Sequence, residues 1–364
     1  MTHLNSLDTP ALVIDVDAME RNLQRAARYA HEHGLRLRPH TKTHKIPALG
    51  RRQIELGAAG LSVAKTTEAE VMLASGTPDL LIAYPVLGEA KLARLVRLAS
   101  QAPVTVALDD AGVAEAISAA ATAAGVEIGI LAEVDLGLHR MGVGPGPQLL
   151  ALIEAVRALP GLRWRGVTFY PGHIKDHAVE SQPALERLRG QVPEMVAALA
   201  RAGAEPEIVS GGSTPLLWDS HTIPGVNEIR PGTYIFNDRN TLLGGACGRA
   251  DCAATMLCTV VSVQGGRMMI DGGSKTFSSD RSSATEDALY GEIEGDTGAR
   301  FHKMNEEHGY VDLSQAARTY RTGDRVRVLM NHVCTAVNLH ERVWAVRGDE
   351  VLEAWTVAGR GKLQ

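Results

Sequence analysis

VTVALDDAGVAEAISAAATAAGVEIGILAEV, residues 104–134, holds two short apolar runs separated by an Ala-rich stretch. Val104–Leu108 and Ile128–Val134 read as strands, and the alanines between them as a helix. Strand, helix and strand in that order make the unit from which parallel sheets are built. The unit recurs in both directions. Upstream strand candidates are Leu35–His40, Gly60–Ala64 and Asp79–Tyr84; downstream ones are Arg165–Tyr170, Glu207–Ser210 and Glu228–Tyr234. Helical stretches lie between most of them, such as EAKLARLVRLAS with Leu92, Leu95, Val96 and Ala99 on one face. TPLLWDSHTIPGV, before the last strand, is the least helical link. Eight such strands predict a (β/α)8 TIM-like barrel. An open doubly wound sheet normally carries G-x-G-x-x-G after its first strand, and none appears there.

Outside this region the texture differs. ALVID (11–15) reads as a further strand, followed by a helix with Asp17 as N-cap, Glu20 three residues on, and Gly34 as the stop. After about residue 245, ATMLCTVVSV, RMMID, RVRVLMNHV, RVWAVRG and VLEAWTV read as strands without long helices between them. That predicts a C-terminal antiparallel β domain. Phe277 to Asp312 is polar and reads as a long excursion from it.

The chain has 364 residues, enough for a large domain and a smaller one. It is 45% hydrophobic and 22% charged, the balance of an ordinary globular protein. A net charge of −5 gives no reason to expect nucleic acid or an anionic membrane as a partner. The polar start, MTHLNSLDTP, does not resemble a signal peptide, and no run approaches the roughly 18 apolar residues that span a bilayer. Four cysteines are too few for a disulfide framework, and Cys247, Cys252 and Cys258 read as core residues. A cytoplasmic protein is expected.

Chemistry in such a barrel sits at the carboxyl ends of the strands. The first barrel strand ends in RPHTKTHK (38–45), with two lysines and two histidines. A lysine there suits a Schiff base with an aldehyde cofactor. The next-to-last strand ends in SGGSTP (210–215), whose backbone N–H groups and hydroxyls suit a phosphate. Tyr234, at the end of the last strand, can donate to the same group. A lysine and a phosphate cradle match the two ends of pyridoxal phosphate. His332 and Cys334 are two apart; on a strand both would project from one face, an imidazole–thiolate pair suited to Zn2+.

Taken together, these motifs resemble the fold-type III pyridoxal-phosphate enzymes, and within them the D-threonine aldolase / D-serine dehydratase family. RPHTKTHK is similar to that family's cofactor motif, which implies Lys42 as the aldehyde-bearing residue with His40 beside it. EVDLGLHRMGV (133–143) resembles the segment carrying an active-site arginine, here Arg140. GVTFYPGH (166–173) resembles the segment with an aromatic residue and a histidine at the cofactor, here Tyr170 and His173. SGGSTP resembles the phosphate loop, here Ser210, Gly211, Gly212, Ser213 and Thr214. RPGTY resembles the barrel-end motif shared with alanine racemases, and NHVC (331–334) the metal pair. NEEHG (305–309) resembles another segment of the C-terminal domain. The resemblance also implies that the first strand joins the C-terminal β domain. The domains are then 16–244 for the barrel and 1–15 plus 245–364 for the β domain.

The activity so implied is that of a lyase on β-hydroxy-D-amino acids, using pyridoxal phosphate and a divalent metal, Zn2+ or Mn2+, in a homodimer. Two reactions compete. A D-threonine aldolase would break Cα–Cβ, with His173 as base. A D-serine or 3-hydroxyaspartate dehydratase would lose water and ammonia, with Lys42 taking the Cα proton. Within the family H-x-D is typical of aldolases and H-x-C of dehydratases, so NHVC counts against the aldolase while YPGH counts for it; the aldolase is the first expectation. An amino-acid racemase or a non-catalytic cofactor carrier stands behind both. Asp271 and Asp280 are candidates for a further metal ligand.

Overall fold

The structure is a computed structural model that describes residues 2–177, 181–281 and 289–364. The chain divides into two compact units: Met1–Gln24 with Thr233–Arg360, and Arg25–Gly232 with Gly361–Gln364. In chain order the first strands are β1 (Thr2–His3) and β2 (Ala11–Asp15), followed by α1 (Val16–Glu32), which runs across the division. The cap of α1 is not Asp17 but Asp15, whose carboxylate accepts the N–H groups of Asp17 and Ala18 at 3.0 and 2.9 Å. Asp17 lies inside the first turn, where its charge favours the helix dipole.

The second unit holds eight parallel strands: β3 (Arg36–Leu37), β4 (Leu61–Val63), β5 (Leu80–Ile82), β6 (Val104–Leu108), β7 (Ile128–Glu133), β8 (Leu162–Thr168), β9 (Ile208–Gly211) and β10 (Glu228–Ile229). Their order is β3-β10-β9-β8-β7-β6-β5-β4. The open edges meet through a parallel bridge between His40 and Ser62, with the Ser62 N–H donating to the Pro39 carbonyl at 2.8 Å. This closes the expected barrel, although its first and last strands have only two regular residues each because proline follows both at 39 and 231. The helices between are α2 (Pro47–Glu55), α3 (Thr66–Met72), α4 (Glu89–Ala99), α5 (Ala111–Ala124), α6 (Pro147–Ala158) and α7 (Gln182–Arg201). Between β9 and β10 there is only a 3-10 turn, Leu217–Thr222. In the unit around β6 and β7, Asp110 caps α5 through the Val113 N–H and Gly125 ends it at φ 65°.

Alternation along the strands sorts the core. Leu80, Ile82, Val106, Ile130 and Val167 pack with the helices, whereas Leu81, Leu131 and Ile208 form a separate small cluster. Beside that cluster lies a buried ionic layer. Arg38, 1% exposed, pairs with Glu228 at 2.9 Å and Asp79 at 3.1 Å. Arg165 reaches Asp79 at 2.8 Å and Thr105 at 2.9 Å. Burial alone would raise the Asp79 carboxyl, but the two guanidiniums hold it below the usual carboxylate value. Gly129 makes room for this layer: a Cβ there would stand 2.6 Å from Thr105 Oγ1 and 2.7 Å from Arg165 Cδ.

The other unit is built on α8 (Arg239–Leu243), β11 (Ala254–Gln264), β12 (Arg267–Ile270), α9 (Ser274–Phe277), β13 (Gly291–Ile293), β14 (Arg300–Met304), β15 (Gly309–Asp312), β16 (Arg325–Met330), α10 (Val333–Leu339), β17 (Arg342–Arg347) and β18 (Glu350–Thr356). The sheet order is β1-β18-β17-β2-β11-β12-β15-β14-β13-β16, and β16 pairs back onto β11. Six strands thus form a closed antiparallel ring, with β2, β17, β18 and β1 extending from the long β11. β2 joins this sheet as the resemblance implied, antiparallel to β11 and parallel to β17.

The expected excursion over 277–312 is corrected: part of it, 282–288, lies outside the described residues, and the rest supplies β13, β14 and β15 of the ring. These strands escaped the reading because each buries one face only, with Ile293, Phe301 and Val311 inside among polar neighbours.

Candidate functional site

In the barrel unit, the chain leaving β3 extends to His40 and then makes a 3-10 turn, Thr41–Thr43, that carries Lys42. His40 accepts the Lys42 N–H at its Nδ1, 3.4 Å away. Beneath, Thr41 Oγ1 donates to the carboxylate of Glu68 at 2.7 Å. Glu68 is fully buried; burial raises its carboxyl, while Thr41, the Ala64 N–H, Lys45 and Lys42 act to lower it. Lys42 is exposed, whereas His44 and Lys45 are buried, so neither of these is a surface residue. Gly232 packs closely on this turn: a Cβ would lie 2.9 Å from Thr43 Oγ1 and 3.0 Å from the His40 carbonyl oxygen.

Tyr170, just past β8, gathers the cations. Lys42 Nζ lies 5.8 Å and the Arg140 guanidinium carbon 4.9 Å from the centroid of its ring. Arg140 is delivered by the loop after β7. There Asp135 accepts the N–H groups of Gly137 and His139 at 2.9 and 3.0 Å, and its other oxygen meets His139 Nδ1 at 2.8 Å. His40 is pushed well below the ordinary imidazole value by burial first and then by Lys42, Arg230, His44 and Arg140. His173 packs against the same loop: a Cβ on Gly137 would stand 3.3 Å from its ring. Its pKa is lowered by burial and by Arg187, and its buried Nδ1 has no hydrogen-bond partner among the described residues.

The segment after β9 is shaped by its glycines. A Cβ on Gly211 would stand 2.3 Å from the Phe169 ring, and Gly212 has φ +92°. Ser210 differs from expectation. Its hydroxyl donates inward to Glu228 Oε1 at 2.9 Å, so its side chain belongs to the ionic layer. Ser213 Oγ accepts the Leu216 N–H at 3.3 Å.

Three buried charges at this end of the barrel were missed in the sequence: Glu68, Glu133 and Arg230. Arg230 donates to the Phe169 carbonyl at 3.0 Å, and its buried Nε has no hydrogen-bond partner among the described residues. Glu133 is raised by burial, against the pull of Arg230 and Arg140. RPGTY contained Arg230 and EVDLG contained Glu133, but their burial has no local signal. Tyr234 lies in a 3-10 turn, Thr233–Ile235, at the start of the other unit's long segment, and is buried there.

In the β unit, the expected strand through NHVC stops at Met330. His332 is the N-cap of α10 and Cys334 lies in its first turn. The two side chains still meet: a hydrogen bond to Cys334 is the largest cause raising His332 to about 9. His332 Nδ1 lies 3.0 Å from Asp280 Oδ2, which also accepts from Thr335 Oγ1 at 2.7 Å. Asp280 is therefore placed on the far ring nitrogen, where it orients the imidazole and leaves Nε2 for a ligand. Asp271 accepts from the Thr259 N–H at 2.8 Å and from Thr9 at 2.5 Å, a structural role. Beneath the turn, Asp238, 1% exposed, accepts the N–H groups of Thr241 and Val333 at 2.9 and 3.1 Å. Among the described residues no cluster of three or more His, Cys, Asp or Glu is placed to hold a metal.

Known proteins agree with this architecture. The alanine racemase N-terminal domain family matches residues 14–240, and the putative serine dehydratase domain family matches 253–346. A D-threonine aldolase of an Arthrobacter species is 32% identical over 98% of this chain and 94% of its own. The crystal structure of D-threonine aldolase from Filomicrobium marinum superimposes with a TM-score of 0.91 at 33% identity, covering 99% of this chain and 98% of that one. D-threo-3-hydroxyaspartate dehydratase from Delftia sp. HT23 superimposes with a TM-score of 0.90 at 32% identity, covering 98% and 99%. That dehydratase is also known as a cysteine-to-alanine mutant in the metal-free form and as a histidine-to-alanine mutant, the two positions lying two apart. With both domains matched and this likeness running the length of the chain, the protein belongs to the D-threonine aldolase / D-serine dehydratase family of alanine racemase-like enzymes.

Proposed function

We propose that this chain is a pyridoxal-phosphate- and divalent-metal-dependent lyase that cleaves β-hydroxy-D-amino acids between Cα and Cβ, as a D-threonine aldolase does. The observation that carries the choice is His173. Burial lowers its imidazole pKa, and among the described residues its Nδ1 has no hydrogen-bond partner, beside the loop that delivers Arg140. An imidazole whose pKa is lowered, on the loop at this strand end, suits a general base for the hydroxyl proton.

The residues suit the cofactor. Lys42 would hold its aldehyde, and Gly211, Gly212, Ser213 and Thr214 would hold its phosphate, with the Gly211 α-carbon pressed on Phe169. Ser210 would contribute backbone, and Tyr234 a hydroxyl. His332 and Cys334 would hold the metal, Zn2+ fitting the imidazole–thiolate donor set better than Mn2+. When bound, the cofactor supplies an electron sink and the metal a Lewis acid for the hydroxyl. Arg140 binds an anionic group, the substrate carboxylate or the cofactor's phenolic oxygen. Tyr170 backs both cations with its ring, and neutral His40 adds no further positive charge beside Lys42. His173 would take the β-hydroxyl proton on its imidazole. The barrel domain would be 16–244 and the metal-bearing domain 1–15 plus 245–364, in a cytoplasmic homodimer. Among the described residues, no helix is long and apolar enough to cross a membrane.

A second reading, the dehydratase, is favoured by the His-x-Cys spacing, which equals that of the two mutated positions in the Delftia enzyme. In it Lys42 takes the Cα proton at Nζ and the β-hydroxyl leaves as water. The test supplies D-threonine and D-serine separately to metal-loaded enzyme. Glycine plus acetaldehyde from D-threonine, with negligible action on L-threonine, is the expected result. Ammonia and an oxo acid without glycine would replace the aldolase by the dehydratase.

A further inference from the structure

Two cysteines of the β unit stand apart from the metal pair and form a site of their own. Cys247 and Cys252 were expected in the core, but of the three cysteines so read only Cys258 is buried; these two are half-buried. Four residues separate them, and those residues fold back tightly. The Gly248 N–H donates to Asp251 Oδ2 at 2.8 Å, and the Asp251 and Cys252 N–H groups donate to the Gly248 and Arg249 carbonyls at 3.0 and 3.1 Å. Arg249 ties the turn to Glu292 through an ion pair of 2.5 Å.

The turn brings the two sulfurs onto the same few atoms. Cys247 Sγ donates to Thr241 Oγ1 at 3.7 Å, and Cys252 Sγ lies 3.8 Å from the Asp238 carbonyl oxygen. Thr241 Oγ1 itself donates to that carbonyl at 2.9 Å. The thiols are also hydrogen-bonded to each other. The contact between the two thiols holds Cys247 below the ordinary thiol value and pushes Cys252 up. A tight turn that holds both sulfurs on neighbouring atoms lets one sulfur attack a disulfide and the other resolve the mixed disulfide.

We propose that Cys247 and Cys252 are a thiol–disulfide exchange site that reacts with low-molecular-weight disulfides such as oxidised glutathione to close a reversible intrachain disulfide. The Cys247 thiolate attacks one sulfur of the reagent, forms a mixed disulfide and releases one glutathione thiolate. Cys252 loses its proton and attacks the Cys247 sulfur, which releases the second glutathione. Two protein thiols are oxidised and one glutathione disulfide is reduced to two thiols. Closure removes both S–H donors from Thr241 and Asp238 at the start of α8, and Asp238 holds the Val333 N–H next to His332.

The experiment incubates metal-loaded holoenzyme with oxidised glutathione, counts free thiols, and maps disulfides after trypsin, which cuts between the cysteines at Arg249. The expected result is the loss of two of the four thiols. A Cys247–Cys252 link should join two otherwise separate peptides, and dithiothreitol should reverse it. In Cys252→Ser the glutathione adduct at Cys247 should accumulate instead of resolving. Retention of all four thiols, adducts confined to Cys334, or the absence of an adduct at Cys247 in that variant would overturn the proposal. Neither arm depends on which lyase reaction the protein catalyses.

Discussion

Asp238 ties the turn carrying His332 and Cys334 to the rest of the β unit, and replacing it with alanine should loosen that turn measurably. One carboxylate oxygen caps α8 through Thr241, and the other takes the Val333 N–H, both inside the protein. Losing an N-cap costs about 0.5–2 kcal/mol, and a buried N–H left without an acceptor costs about 1–3 kcal/mol. Allowing for overlap, Asp238→Ala should cost about 2–4 kcal/mol. At a factor of ten per ~1.4 kcal/mol, local opening should become roughly 30- to 1000-fold more frequent. Hydrogen exchange of apo-protein reads this directly in peptides spanning 331–340. Asp238→Asn, which keeps one acceptor, should fall between. Metal affinity, measured by chelator competition, should drop about 10- to 100-fold, as when a ligand loses an orienting partner. Exchange changed less than threefold in the alanine variant would refute the view that this carboxylate holds the turn.

Lys42→Ala should abolish the Schiff-base absorbance of the cofactor-loaded protein and its fixation by borohydride; survival of either would remove Lys42 from its role. His44 should make stability fall with acid. Burial depresses it to about 4, while its Ile46 and Gln53 hydrogen bonds act to raise it. The folded state therefore resists protonation, and stability is full above the unfolded value of 6.5 and lost as pH falls toward 4. The shift is worth about 3 kcal/mol. Urea unfolding at neutral and acid pH should show His44→Asn losing less than the parent; equal losses would contradict the assignment. Gly211→Ala must displace Phe169, whose carbonyl holds Arg230. It should weaken cofactor binding at least tenfold by fluorescence titration, and an unchanged affinity would show that the loop tolerates the methyl.

The barrel was legible because its strands are short, apolar and regularly spaced between helices with clear amphipathic or Ala-rich faces. RPHTKTHK, GVTFYPGH and SGGSTP fell at strand ends, so motif and position agreed. What stayed hidden depended on long-range packing. Glu68, Glu133 and Arg230 look like surface charges in sequence and are buried by strands far from them. NHVCTAV reads as a strand because Val333, Thr335 and Val337 alternate. The chain turns helical there because Asp238, about a hundred residues earlier, takes the Val333 N–H. Ser210 shares its segment with the phosphate loop, but strand alternation turns it toward Glu228.

The placement of β2 has a consequence for how the protein is made. Leu12, Val13 and Ile14 are fully buried, and their partners are Ala254–Leu257 on one side and Trp344–Val346 on the other. A ribosome adding about 5–20 residues per second needs roughly 15 to 70 seconds between the first strand and the last of these partners. Throughout that interval the nascent chain carries β2 as an apolar segment without its sheet partners. The eight barrel strands emerge before either neighbour, so the barrel can assemble during translation while β2 waits. Chaperone capture during synthesis should therefore concentrate on the segment around Ala11–Asp15.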